Sequence, residues 1–313
     1  MVLTIGFGLS GVLALACGSA GGQSSTITAR CPLDGTFVQL RGDQIAWGRA
    51  DWSRALDELH AIGLSTIVLQ HTGDPYGSYE SYDRHPITSL LEEADARGGF
   101  SIWLGLAHAP GWPQTVPDRM PPLADPRAVE QLGRLCETHA SCAGFYLSPE
   151  IDDVTWPSRV PQLHAFLADA VSILRARVPR ARFAIAPYFT RALTPDAHAA
   201  FIAEVIEGLG IDVVMLQGGT GTGRTSPDDV RRYLVPLAER LRRSGTETWL
   251  VVELFAQRSG PPIDDGAFSA QPADPDAVRA ALLSDLDVRR IGYTVPDYLD
   301  PGLRAAWRSS CAP

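Results

Sequence analysis

The chain has no lysine. Its 27 basic residues are all arginine, set against 36 acidic residues, for a formal net charge of −9 over 313 residues. A Schiff-base or phosphate-binding lysine is therefore excluded. No basic footprint is available to neutralise phosphates, so no nucleic-acid partner is expected. Charged residues make up only 20% and hydrophobic residues 45%, the composition of an ordinary globular protein with apolar material for a full core. No Gly-rich phosphate loop follows the first apolar run, where Gln39-Leu40-Arg41-Gly42 stands instead, and this disfavours a doubly wound open sheet. The run from Gly218 to Gly223 (Gly-Gly-Thr-Gly-Thr-Gly) also lacks the lysine of a phosphate loop and reads as a flexible loop bordering a cleft. No helix-spaced His/Glu motif accompanies His71 or His108, so neither a metal nor another cofactor is expected.

Among the features present, the N-terminus comes first. Residues 1–16 carry no charged side chain and lead through Leu13-Ala14-Leu15-Ala16 into Cys17 and a Gly/Ser-rich stretch. A short, Gly-broken apolar segment followed by small residues reads as an export signal peptide and not as a membrane span. Cys17 after a small residue resembles a bacterial lipoprotein processing site, while Ala14-Leu15-Ala16 also fits ordinary cleavage. The expectation is an exported protein, either secreted or a periplasmic or cell-surface lipoprotein. Residues 17–30 would then be a flexible tether, and lipid on Cys17 the sole membrane attachment. Four cysteines remain. Cys136 and Cys142 are close enough in sequence to close a small loop, and Cys31 and Cys311 sit at the two ends of the folded part. In an exported protein an even count favours disulfides at these pairs, with buried free thiols as the alternative.

Eight apolar runs of strand length recur along the chain, at 36–40, 66–70, 101–106, 144–148, 183–187, 213–217, 249–253 and 291–295. Most are continuous and not alternating, as parallel strands buried on both faces require. Helical patterns at 51–59, 87–96, 125–139, 160–177, 195–208, 226–243 and 274–286 separate them, with Asp, Ser or Pro at starts and Gly at several ends. Eight strands alternating with helices predict a single-domain α/β (β/α)8 TIM barrel over residues 31–313. A monomer is expected.

In such a barrel, active sites lie at the C-terminal strand ends. The apolar runs end at Gln39, Gln70-His71, Ala107-His108, Pro149-Glu150, Pro187-Tyr188, Gln217, Glu253 and Pro296-Asp297. Two carboxylates stand out, Glu150 after the fourth strand and Glu253 at the end of the seventh, on opposing sides of the mouth. A charge closing an apolar strand costs free energy unless it is paired or functional. Glycosidic bond cleavage needs two carboxyl groups flanking the bond. Trp112, Tyr146, Trp156, Tyr188, Phe255 and Tyr293 are candidate stacking surfaces for sugar rings. Gln39, Gln70, Gln217, His71, His108 and Asp152 are candidate hydrogen-bonding partners of an oligo- or polysaccharide. For each aromatic, ordinary packing is the competing reading, and for Asp152 a loop cap.

The carboxylate pattern resembles the clan A glycoside hydrolases, barrels with an acid/base Glu after strand four and a nucleophile Glu after strand seven. The resemblance implies Glu150 as acid/base, Glu253 as nucleophile and retention of configuration. It implies a raised pKa for Glu150, an ionised Glu253 and carboxyl groups about 5–5.5 Å apart. That clan commonly has Asn before the acid/base, whereas this chain has Pro149. A closer resemblance is to the bacterial domain of unknown function 4434 family of glycosidase-like barrels. It is carried in order by Gly35-Thr36-Phe37-Val38-Gln39, Leu64-Ser65-Thr66-Ile67-Val68-Leu69-Gln70, Gly144-Phe145-Tyr146-Leu147-Ser148-Pro149-Glu150-Ile151-Asp152-Asp153, Ala186-Pro187-Tyr188-Phe189, Val214-Met215-Leu216-Gln217 and Glu253-Leu254-Phe255. That family usually shows Gln-Asp-Gly at the sixth strand, where Gln217-Gly218-Gly219 stands here. Two functions follow: an exported retaining glycosidase acting on a cell-envelope or extracellular polysaccharide, or a non-catalytic carbohydrate-binding barrel that keeps the cleft. A metal-assisted hydrolase on the same barrel is a third.

Overall fold

A computed structural model describes residues 31–40, 42–70, 72, 85–106, 126–258 and 269–311. The expected signal peptide, tether and Cys17 lie outside the described residues, as do His71, His108 and Trp112.

Eight parallel strands close into a barrel: β1 (Gly35–Val38), β2 (Thr66–Leu69), β3 (Ser101–Gly105), β4 (Cys142–Ile151), β5 (Arg182–Pro187), β6 (Val213–Gln217), β7 (Glu247–Glu253) and β10 (Arg289–Tyr293). The ring runs in chain order and is closed by β10 against β1, with Gly35 opposite Ile291 and Thr36 opposite Gly292. These are the expected eight strands with slightly shifted ends. Their continuous apolar character has two uses, because successive side chains point to opposite faces of a strand. Phe37, Val68, Trp103, Tyr146, Ala184, Met215, Trp249 and Ile291 point inward and pack together inside the barrel. Leu69, Leu104, Phe145, Leu147, Ile185, Leu216 and Val252 belong to the outer core, under the helices.

The helices are α1 (Arg49–His60), α2 (His85–Arg97), α3 (Pro126–Thr138), α4 (Val160–Arg177), α5 (Pro195–Ile206), α6 (Pro227–Arg242), α7 (Pro275–Ala281), α8 (Val295–Tyr298) and α9 (Pro301–Cys311). Several starts follow from local chemistry. The Thr194 side chain accepts from the Ala197 N–H at the start of α5, and Ser226 and Asp229 form a capping box at α6. Proline follows each cap, where its missing N–H costs nothing. The helix expected over 274–286 stops at Ala281, and shortly after it Leu283 takes a left-handed conformation with φ 45°. An antiparallel pair, β8 (Phe255–Gln257) with β9 (Ala270–Pro272), was not anticipated, nor was α9, which buries Leu303 and Trp307. None of the described helices is long and apolar enough to cross a membrane.

Both expected disulfides are present. Cys31 joins Cys311 with the Cα atoms 5.5 Å apart, and Cys136 joins Cys142 at 5.0 Å. The N-terminal end of the barrel is filled. Trp103 meets Trp249 edge-on at 5.7 Å, the Arg289 guanidinium lies 4.5 Å from the Trp249 ring centre, and Glu247 accepts from both Arg182 (2.6 Å) and Trp249 Nε1 (2.9 Å). Space for a ligand is therefore to be sought at the C-terminal end.

Candidate active site

Strand alternation dictates what crowns the barrel interior. Two residues beyond the inward apolar layer stand Gln39, Gln70, Gly105, Ser148, Gln217 and Tyr293, with Tyr188 and Glu253 four beyond Ala184 and Trp249. Nearly every inward row thus changes from apolar to polar at the mouth. On β4 the register against β5 shifts between Leu147 and Ile151, a bulge that holds Ser148, Pro149 and Glu150. Ser148 Oγ lies 2.5 Å from the Leu106 carbonyl and 3.0 Å from the Gln70 carbonyl, which pins this bulge to β2 and to the end of β3.

Three residues from neighbouring strands form a closed ring of hydrogen bonds. Gln39 Nε2 donates to Gln70 Oε1 (2.5 Å) and to the Tyr293 hydroxyl (2.6 Å), and that hydroxyl donates to Gln70 Oε1 (2.9 Å). All three are half-buried, and their polar groups are joined at the C-terminal end of the barrel. Gln217 instead spends its amide on the Ala186 carbonyl at 2.7 Å, bracing β6 against β5.

Glu253 is 8% exposed at the end of β7. Its Oε1 accepts from the Gly219 N–H at 3.0 Å and its Oε2 from the Gly221 N–H, both in the loop between β6 and α6. Burial pushes its carboxyl above the usual range. The N–H groups of Gly221, Gly219 and Thr222 pull it down, and the charge of Glu150 pushes it up again. Glu150 is half-buried in the β4 bulge, and its charge acts on Glu253, Tyr146 and Tyr188. Burial first, then Glu150 and Tyr293, raise the Tyr146 phenol. For Tyr188, burial is followed by Asp152 and Glu150, with Arg224 opposing. Both phenols stay protonated and can donate.

Hydrogen bonds join Gln39, Gln70 and Tyr293, strand register sets Tyr293 beside Glu253, and the charge of Glu150 acts on Glu253 and Tyr188. The structure corrects four other candidates. Trp156 has no exposed surface and packs in the outer core, so it offers no face to a sugar. Tyr146 is 2% exposed and edge-on to Phe37, part of the floor and not a platform. Phe255 is 5% exposed and supports Tyr293 edge-on from behind at 6.0 Å. Asp152 is buried and its Oδ1 accepts from the Val154 N–H (2.7 Å) and the Thr155 N–H, a turn-forming role. Glu253, expected to be a carboxyl of low pKa, is instead pushed up by burial. The loop from Gly218 to Gly223, read as flexible, is bound to that carboxylate. Sequence reasoning also missed Ser148, while the loop-capping reading of Asp152 covers Asp153 as well. Asp153 is buried and accepts from Thr190 N and Oγ1 (both 2.7 Å) and Leu193 N (3.3 Å), tying the β4 end to the β5–α5 loop. The doublet Asp152-Asp153 after a strand was the available signal. Among the described residues no group of three His, Cys, Asp or Glu converges as a metal site would require.

Comparison with known proteins agrees with this architecture. The family model described as "Domain of unknown function (DUF4434)" matches residues 33–302. The uncharacterized protein YbcH of Escherichia coli (strain K12) is 27% identical over 252 residues, which is 74% of this chain and 78% of that protein. Among solved structures, a candidate alpha-L-fucosidase from Bacteroides thetaiotaomicron VPI-5482 superposes with TM-score 0.70 at 15% identity, covering 96% of this chain and 99% of the other. The endoglucanase Cel5A of Pseudomonas stutzeri gives 0.54 at 14% identity (90% and 94% covered). The intracellular xylanase TsXylA of Thermoanaerobacterium saccharolyticum JW/SL-YS485 gives 0.52 at 13% (83% and 85%). At such identities these likenesses carry the (β/α)8 fold and not an activity.

Proposed function

Because the chain belongs to the DUF4434 family, whose description assigns no activity, its chemistry must be read from its own site, and we propose that it is a retaining glycoside hydrolase. The observation that carries this reading is the pair of carboxyls at the barrel mouth. Glu253 is buried and gripped by backbone donors, and Glu150 is half-exposed and close enough for its charge to act on it. In the proposed reaction Glu150 protonates the glycosidic oxygen as the bond to the anomeric carbon breaks. Glu253 attacks that carbon from the opposite face to form a glycosyl-enzyme. Glu150 then takes a proton from water, which displaces Glu253 and leaves the configuration retained. The Gln39–Gln70–Tyr293 ring and the Tyr188 hydroxyl supply neutral hydrogen-bonding groups suited to sugar hydroxyls. The fucosidase, endoglucanase and xylanase names of the structural neighbours support a saccharide as the substrate class.

Two disulfides support an oxidising compartment. With the apolar N-terminus, they support export, with Cys17 as a lipid anchor and a cell-envelope or extracellular polysaccharide as the substrate. The competing reading, a saccharide-binding barrel without turnover, draws on Pro149 in place of the clan's usual Asn and on the engagement of both Glu253 oxygens. Purified protein is to be tested against bacterial and plant polysaccharides, with Glu150→Gln as control and the anomeric form of the first product read by proton NMR. Release of the retained anomer, lost in Glu150→Gln, is expected. Release of the inverted anomer sinks the nucleophile assignment, and binding without turnover favours the binding barrel.

A further inference from the structure

The β6–α6 loop is built against Glu253 from several directions. The Gly219 and Gly221 N–H groups reach one carboxylate oxygen each. Gly219 is left-handed, with φ 71°, a conformation open to glycine. At Gly221 a Cβ would lie 2.5 Å from the Phe255 carbonyl oxygen and 3.0 Å from Glu253 Oε2, so no side chain fits. Four further bonds fix the loop. Thr225 Oγ1 donates to the Gly218 carbonyl, Thr222 Oγ1 to the Gly219 carbonyl (2.9 Å), Gly223 N to the Thr220 carbonyl (3.1 Å), and Gln257 N of β8 to the Gly221 carbonyl (2.8 Å). A glycine-rich segment this constrained is a pre-formed concavity of N–H groups, the kind of backbone arrangement that binds anions. Here the anion is a side chain of the same protein.

We propose that residues 218–225 form a backbone cradle that holds the Glu253 carboxylate by both oxygens and aims it into the barrel mouth, with Gly219 and Gly221 as positioning residues and Thr225 as the latch. Both oxygens act as acceptors, and protonation of either weakens it in that role, so the donors favour the anion. They do so against burial and against Glu150 facing from β4. Among the described residues, the other groups at this end include the Tyr188 phenol just after β5, the Tyr293 hydroxyl on β10, the Asp152 and Asp153 carboxyls after β4, and Arg224 within the loop itself, whose charge, like those of the two aspartates, acts on Tyr188. Peptide dipoles fixed by folding need no reorganisation when the carboxylate reacts, which is how preorganised donors assist catalysis. The cradle rests on the nucleophile reading for its purpose but not for its existence, and the test separates the two.

Protein labelled with 13C at the glutamate carboxyl carbons is titrated by NMR, with the Glu253 signal assigned by its loss in Glu253→Gln. Thr225→Val removes the latch, Gly221→Ala forces the loop away, and Gly245→Ala serves as control, being left-handed with open space around its Cβ. The Glu253 midpoint is expected to rise by about one pH unit or more in Thr225→Val and Gly221→Ala, a roughly tenfold change in its acid equilibrium, and to stay put in the control. The acid limb of kcat/KM on any glycoside that the enzyme cleaves is expected to move up by the same amount. If Gly221→Ala does not fold, Thr225→Val decides alone. An unchanged or lowered midpoint in a folded Thr225→Val protein overturns the cradle. A raised midpoint in a protein that cleaves no glycoside upholds the cradle while refuting the hydrolase.

Discussion

Replacing Glu253 by glutamine puts an amide NH2 where one of two oxygens now accepts a backbone N–H. Donor then faces donor at Gly219 or Gly221, and a buried N–H loses its partner. Such a loss costs about 1–3 kcal/mol. Glu150 is half-exposed on a bulge, so Glu150→Gln should change stability much less. Glu253→Gln is therefore expected to melt several degrees lower than Glu150→Gln, as read by thermal unfolding. Equal melting temperatures would show that the loop does not grip the carboxylate. In turnover, Glu150→Gln should lose roughly 10²–10⁴-fold on substrates with poor leaving groups, the usual worth of a positioned acid. At this scale, strand alternation made most of the mouth legible. Gln39, Gln70, Glu253 and Tyr293 all continue inward rows already fixed by apolar partners. Trp156 was not legible because it follows the end of β4, where alternation no longer sets side-chain direction. Phe255 misled for a related reason, since it opens β8, a strand outside the barrel.

Helices α5 and α6 and the end of β5 enclose a histidine that the site does not use. His198, on α5, has no exposed surface. Its ring sits against Tyr233 (5.5 Å), Phe189 (6.2 Å) and Phe201 (6.3 Å), and neither nitrogen finds a partner among the described residues. Burial depresses its pKa to about 4, with the Asp153 charge opposing weakly. The folded value lies below the unfolded one, so the unfolded chain binds the proton first as pH falls. The stabilising effect is complete above about pH 6.5 and is lost progressively toward pH 4. A gap from 6.5 to about 4 corresponds to about 3 kcal/mol. Urea unfolding at intervals from pH 7 to pH 4 should show this slope, and His198→Phe should flatten it. An identical slope in both proteins would assign acid sensitivity elsewhere. The element packing that creates this site was only half legible. The helices α5 and α6 were marked by their Thr and Ser caps and by proline, but the buried loop contacts of Asp153 and the anion-gripping β6–α6 loop depend on backbone N–H directions. A run of glycines does not reveal those.

Across the whole molecule, a closed barrel has one seam, where the first strand meets the last. Here β1 pairs with β10 at Gly35–Ile291 and Thr36–Gly292, while β10 pairs with β7 along five positions from Arg289–Trp249 to Tyr293–Glu253. The seam is the lightly bonded side of β10, and the Cys31–Cys311 disulfide ties the chain just before β1 to α9, which follows β10. The sequence suggested this bridge from barrel closure alone, because ends that meet around a ring can be joined. It could not show that α9 carries the second cysteine. In the chain-entropy account a cross-link stabilises more when it closes a longer loop. The bridges span 280 and 6 residues, so their worth should differ. Removing Cys31–Cys311 by a double serine substitution is expected to cost about 5 kcal/mol, and removing Cys136–Cys142 roughly 2 kcal/mol. Urea unfolding of the two double variants measures the difference. Hydrogen exchange locates it: without Cys31–Cys311, amides of β1 and β10 should lose protection ahead of those in β6 and β7, because the barrel then has a free seam at which to open. Uniform loss of protection around the ring would mean that the bridge acts only on the unfolded chain and that the seam holds by packing.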